Sequence, residues 1–443
     1  MPPARVVTTE ETFTLEAADI AFVVICAAMV MLMTPGLAFF YGGMIRVKSA
    51  LNMLMMCFIT MGISSVLWVL YGWSVAFGTD VNGEGGGLFG NFDFIGFQGM
   101  LDLDNTPELL TIAVFQLMFA VLTPALISGA LAERVKFSAW ALFVAVWVSI
   151  VYFPVAHWVW GEGGWIGGLE IDGREVIDFA GGTAVHINAG IAALAAVLVI
   201  GKRIGFKKDS GMRPHNLPMV LLGAALLWFG WFGFNAGSEL AANGTAALMA
   251  LNTMVATGTA VLGWLIYERL RYGAYTTLGA ASGAIGGLVA ITPAGADVTP
   301  MGAMAIGLVS GAACAWAVGL KYKLGYDDSL DVVGVHLVGG LIGTLMVGFL
   351  AIEVGGFAQF VLQAIAAGAV LVYSFVVTLL LALAIKHTIG FRADEDAELT
   401  GLDQVYHAES GYDFSQSGGG SAAGSAGDRI PAATQTGDKK VDA

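Results

Sequence analysis

The 443 residues are 57% hydrophobic and only 12% charged, about half the ~25% charge of an ordinary soluble domain, so most of this chain belongs in a membrane. The net charge of −14, with ten acids against four bases in residues 390–443, excludes a nucleic-acid partner held by basic surface. Cys26, Cys57 and Cys314 sit in separate apolar stretches with neither metal spacing nor a disulfide framework, and no phosphate cradle or ATP-binding loop is legible, so no metal or resident cofactor is expected.

Residues 1–19 carry Arg5 against Glu10, Glu11, Glu16 and Asp19, the reverse of a basic signal-peptide leader. They are read as an extracellular segment, and the first apolar run as a retained helix. Spanning a ~30 Å hydrocarbon core takes about 20 apolar residues. Eleven runs qualify, at about 20–43, 50–77, 109–131, 138–158, 179–201, 216–236, 246–267, 275–292, 300–320, 331–351 and 357–386. The eighth, from Tyr275 to Thr292, is short and rich in glycine. Glycine is abundant throughout, with 61 residues, which suits close helix–helix approach in lipid.

The connecting charges test that count. With the N-terminus outside and sides alternating, only Arg5 and Arg174 of the 20 basic residues fall outside. Arg46, Arg134, Arg203, Arg269, Lys321 and Arg392 all lie on the other side. A positive-inside bias that strong requires an odd number of helices and a cytoplasmic C-terminus.

Val185-His186-Ile187-Asn188-Ala189-Gly190-Ile191 recurs 150 positions later as Val335-His336-Leu337-Val338-Gly339-Gly340-Leu341. An ionisable residue inside a membrane is costly and marks a pathway or site. Here one lies on the fifth helix and one on the tenth. Five is odd, so the second half is inverted relative to the first, and the pair points to one site at the repeat interface. The expected fold is an all-α polytopic membrane protein of eleven transmembrane helices, an inverted 5+5 repeat (about 20–201 and 216–351) plus one extra helix (about 357–386), within a transmembrane domain of residues 20–389. Residues 390–414 read as a short docked cytoplasmic segment. Residues 415–443, rich in Gly, Ser and Ala, read as a flexible tail.

Asp178 opens the fifth helix, where a carboxylate can accept its orphan N–H groups; direct coordination of a cation is the alternative. Asp331 is expected to cap the tenth helix in the same way. From those starts His186 lies ~12 Å and His336 ~7.5 Å along their helices. Entering from opposite faces, both approach the midplane and can hydrogen-bond each other. A neutral imidazole donates one hydrogen bond and accepts one, so a pair can pass a proton or line a route for a small polar solute.

The run D178-F-A-G-G-T-A-V-H-I-N-A-G190 resembles the signature of the ammonium transporter (Amt/Mep/Rh) family. So do F115-Q-L-M-F119, A130-L-A-E-R134, H157-W-V-W-G161, W231-F-G-F-N-A-G-S238 and D331-V-V-G-V-H336. The likeness covers roughly residues 20–414. It implies a cell-membrane transporter or channel for ammonium, with acceptance of methylammonium left open, rather than an enzyme, and a homotrimer with one pore per subunit surrounded by lipid. By position, Trp160 and Ser238, with Phe119 on the floor, resemble the outer recruitment site. Phe119 and Phe234 resemble the stacked phenyl gate, and His186 and His336 the pore-lining pair. Each aromatic also has a plainer reading: Trp158, Trp165 and Trp231 as interface or packing residues, and Phe115 and Phe119 as an i, i+4 helix pair.

The charged stretch between Trp165 and Val176 has no confident counterpart, and Glu239 beside Ser238 adds negative potential. G401-L-D-Q-V-Y-H-A-E-S-G-Y-D-F414 resembles the family's regulatory segment, which implies a PII-type signalling partner at the cytoplasmic exit. Two competing readings stand beside transport. One is an ammonium sensor of the same fold; the other is a membrane haem enzyme with His186 and His336 as axial ligands, for which no further redox motif exists. An aquaporin-like channel lacks its paired N-P-A signatures.

Overall fold

The computed structural model describes residues 15–81, 87–103, 106–208 and 212–412. Most of the expected N-terminal segment and the whole of the expected tail lie outside those residues. Eleven apolar helices run in chain order: α1 (Ala17–Met44), α2 (Val47–Phe77), α3 (Pro107–Leu131), α4 (Phe137–Trp160), α5 (Gly182–Ile200), α6 (Leu217–Glu239), α7 (Gly244–Tyr272), α8 (Thr277–Ile291), α9 (Pro300–Leu324), α10 (Val333–Leu350) and α11 (Phe357–Thr388). Among the described residues ten are long and apolar enough to cross a membrane. The eighth has 15 residues, ~22 Å of helix. It starts where the Thr276 hydroxyl accepts the Gly279 N–H at 2.8 Å, and it stops before Pro293, which cannot continue a helix.

Small residues let these helices touch. A Cβ on Gly223 of α6 would run into the Phe40 backbone of α1, and one on Gly311 of α9 would strike the Ala260 carbonyl of α7. The first helices of the two expected halves, α1 and α6, therefore pack backbone against backbone.

The two histidine helices enter from opposite ends of this bundle. α5 starts beside the end of α4, where the Trp160 Nε1–H donates to the Asp178 carbonyl at 2.9 Å. α10 starts beside the end of α3, where an Arg134 guanidinium N–H donates to Ser329 Oγ at 2.6 Å. These two ends are called here the aromatic end and the basic end.

One expected cap is corrected. The α10 amides of Val332 and Val333 donate to the carboxylate of Asp328, at 3.1 and 2.7 Å, not to Asp331. Asp331 sits at φ 64° and its carboxylate pairs with Lys321 Nζ at 2.6 Å. A partner across space has taken the side chain that sequence spacing assigned to the helix end. With Asp328 as the cap, each histidine follows its aspartate by eight residues, so the repeat is more regular than it looked.

The stretch after Trp165 forms a two-residue hairpin, β1 (Glu170–Ile171) antiparallel to β2 (Arg174–Glu175). It leans on the start of α11 through Gln359 Nε2, which donates to the Glu175 carbonyl at 2.7 Å. After α11 the chain turns back across the basic end with a short helix, α12 (Glu395–Thr400). There the Asp403 carboxylate accepts the Leu51 and Asn52 N–H groups at 3.0 and 2.7 Å. The Tyr412 hydroxyl meets His215 Nε2 at 3.0 Å.

Candidate functional site

Both histidines lie in π-helical turns, Gly182–Ile187 and Val333–Leu337. Such a turn displaces side chains relative to an α-helix and often marks a functional position. The first is held by Asp178, whose carboxylate accepts the N–H groups of Gly181, Thr183 and Ala184 at 3.2, 3.0 and 3.0 Å. Burial pushes the Asp178 carboxyl up to about 6 against the pull of those amides. The Asp328 carboxyl is likewise pushed up to about 6 by burial. With its oxygens engaged by backbone, Asp178 takes the capping position of α5.

The turns bring the two imidazoles together across the repeat. His186 Nδ1 and His336 Nδ1 are 3.3 Å apart, in rings that are 0% and 2% exposed. A hydrogen bond between two Nδ1 atoms requires one ring to carry its proton there and the other on Nε2. His186 Nε2 is buried with no protein partner.

From this pair a continuous line of aromatic contacts leads to the aromatic end. The His186 ring is stacked 6.0 Å from Phe234. Phe234 lies 4.3 Å from Phe119 at 36°, and Phe119 meets Trp160 edge-on at 6.0 Å. Phe115 also packs on Phe119, at 5.1 Å, so the i, i+4 packing and the line of contacts coexist. Phe119 and Phe234 are essentially sealed, whereas Trp160 and Ser238 are half-buried at the end of the line. The Trp160 N–H is already committed to Asp178, so the indole offers its face. The Ser238 hydroxyl donates to the Phe234 carbonyl at 2.8 Å, which leaves its oxygen lone pairs free to accept.

From sequence Trp231 reads as a membrane-interface aromatic. The structure stacks it 5.4 Å from His186 at 25°, flat against the ring. Its Nε1–H donates to Thr292 Oγ1 at 2.9 Å, and Asn235 Oδ1 lies 3.2 Å from that oxygen. The signal was its place in W231-F-G-F-N, three residues before Phe234 on one helix face. Asp328 was missed although the 150-residue offset from Asp178 points to it. By contrast, Trp158 and Trp165 meet at a tilt of 55° with ring centres 5.6 Å apart, and Trp158 also packs on Tyr373 at 4.5 Å. They are packing residues. Among the described residues no group of acids, histidines and cysteines is arranged to hold a metal.

A polytopic helical bundle with a buried aromatic line ending on a buried histidine pair defines a membrane transporter or channel. The family model described as the Ammonium Transporter Family matches residues 21–412. An ammonium transporter of Mycobacterium tuberculosis is 53% identical over 443 residues, covering 91% of this chain and 92% of that one. One from Bacillus subtilis is 42% identical over 414 residues, covering 90% and 99%. Among solved structures, Mep2 of Saccharomyces cerevisiae superposes with a TM-score of 0.79 at 33% identity, covering 86% of this chain and 88% of that one. A protein titled a sensor Amt protein superposes at 0.82 and 31% identity, covering 88% and 98%. The chain belongs to the ammonium transporter family and is a multi-pass membrane protein of the cell membrane.

Proposed function

We propose that the chain carries ammonium into the cell through the line from Trp160 to His336. The observation that carries this reading is the unbroken sequence of contacts Trp160–Phe119–Phe234–His186–His336. In this reading the aromatic end faces outward, all eleven helices span, and the basic end with the C-terminus is cytoplasmic. The subunit works as one pore of a homotrimer.

Ammonium settles on the Trp160 face, an attraction of ~0.5–2 kcal/mol, and donates an N–H to Ser238 Oγ. Potassium has the same charge and a similar size, but only ammonium can give up a proton. Past Phe119 and Phe234 an ion that keeps its charge meets a desolvation cost of several kcal/mol. Ammonium therefore gives up its proton near the phenyl pair, either to solvent at the outer mouth or to the histidine pair, and ammonia passes the two imidazoles, finding Nε2 of His186 open. Methylammonium fits the same chemistry. The segment carrying Asp403 and Tyr412 is read as regulatory, with a PII-type protein as its partner at the exit.

Reconstitution in liposomes tests this reading. An ammonium jump should produce a saturable current or rapid internal alkalinisation. His186→Ala with His336→Ala should abolish the current if the pair conducts the proton. Potassium currents comparable to ammonium currents would sink the selectivity argument. Neither current nor alkalinisation in the wild type would turn the reading toward a sensor.

A further inference from the structure

At the basic end lies a cavity of about 460 Å³, bounded by the ends of α1 and α9 and by the segment entering α10. Its volume is in the range of sites that hold small organic ligands. Arg46, Arg203, Lys207, Lys208 and Lys321 line it, against the two carboxylates Glu133 and Asp331. The fixed pairs are Arg46–Glu133 at 2.6 Å, Arg203–Glu133 at 2.6 Å, Arg203–Asp327 at 2.9 Å and Lys321–Asp331 at 2.6 Å. Counting Asp327 behind Arg203, five cations face three carboxylates, which leaves a surplus of two positive charges. The carboxylate of Asp328 accepts from the amides of Val332 and Val333 and also acts through its charge on Lys321, so with it counted the surplus is one.

Three observations locate that surplus. Among the described residues neither Lys207 nor Lys208 has an acidic partner. Nη2 of Arg46 is buried without a hydrogen-bond partner, an unusual state for a guanidinium donor. Lys207 is also held at φ 67°, a left-handed conformation that an L-residue with a long side chain rarely adopts and that recurs at ligand clamps. The cavity wall adds a stacked aromatic pair, Phe206 and Tyr322, with ring centres 5.8 Å apart.

We propose that this cavity binds a phosphate monoester, whose negative charge at neutral pH suits the cationic surplus and whose oxygens suit guanidinium and ammonium donors. A soluble nucleoside monophosphate and the headgroup of an anionic lipid at the membrane surface both carry that chemistry. The bound group lies against Leu330 and Asp331, the residues that lead into the π-helical turn of His336.

The test uses the full-length protein with AMP or inorganic phosphate in neutral detergent, and with phosphatidate in phosphatidylcholine nanodiscs. Binding is followed by the ligand-dependent shift in melting temperature and by native mass spectrometry. Saturable AMP or phosphate binding assigns a soluble ligand; binding confined to phosphatidate nanodiscs assigns a lipid. In either case Lys207→Gln with Lys208→Gln should weaken binding about tenfold, and Lys207→Arg with Lys208→Arg should keep it. If none of the three probes binds above a chloride control, or the double Gln variant binds like wild type, the proposal is overturned.

Discussion

The starts of α5 and α10 are built alike and surrounded differently. Each is an aspartate eight residues ahead of a histidine, its carboxylate capping a π-helical turn. Beside Asp178 stands Trp160, which opens the aromatic line through Phe119 and Phe234. Around Asp328 stand ions: Lys321 with Asp331, and Arg203 bridging Glu133 to Asp327. One backbone device delivers two histidines to a common point, and the neighbouring side chains decide what each approach admits. An aromatic approach draws a weakly hydrated cation without holding it. An approach lined by surplus positive charge favours anions at its mouth.

The largest effect that separates the two ends is expected at the basic one. Arg203→Gln leaves Glu133 and Asp327 buried without their bridging cation, and breaking a buried pair costs about 3–5 kcal/mol. Denaturation of the detergent-solubilised protein should show that loss. A loss well below 1 kcal/mol would mean the ion network is incidental.

Next come the caps. Asp178→Ala and Asp328→Ala should each cost ~2 kcal/mol, since an N-cap is lost and buried N–H groups are left unpaired. Similar losses at the two positions support a shared device. A loss at Asp178 alone would restore Asp331 as the working cap of α10.

Smaller effects belong to recruitment. Trp160→Leu should weaken apparent ammonium affinity between about twofold and thirtyfold, the equivalent of a cation–π contact, while Lys321→Gln should leave that affinity unchanged. Glu239→Gln should weaken it less, because Glu239 already accepts from Asn243 Nδ2 at 2.8 Å and acts only through its field. Initial rates of ammonium-driven current against concentration read all three.

The finest distinction is in pH. The folded-state pKa of Asp178, about 6, lies above the ordinary 3.8, so the folded chain holds that proton more tightly. Its contribution to stability is full below about 3.8 and is lost as pH rises through about 6. Asp327 has the opposite sign. Although burial pushes its carboxyl up, hydrogen bonds and charge from Arg203, with Arg134 nearby, hold it below 3.8. Its contribution is present above that value and is lost as pH falls. Melting temperatures of Asp178→Asn and Asp327→Asn across pH 3–7 should therefore diverge from wild type in opposite directions. Parallel curves would refute the contrast between the two ends.

Much of this was legible in the sequence, because hydrophobic length and local spacing are properties of the chain alone. Ten of the eleven apolar runs counted from sequence are long enough for a membrane, and these, the 150-residue recurrence of the histidine and the Trp160, Phe119, Phe234 and Ser238 motifs could all be read before any coordinates. What spacing could not decide was competition between partners. Asp331 stands nearest α10 in the chain, yet Lys321, brought alongside by the turn after α9, takes its carboxylate and leaves the cap to Asp328. Trp231 reads as an ordinary interface aromatic until α5 packs across α6 and lays His186 on its face. Lys207 and Lys208 read as positive-inside charges until the ends of α1, α9 and the approach to α10 close a cavity beside them. A side chain's reach in sequence is local and its partners are not, so the choice among partners was made only by the packed tertiary structure.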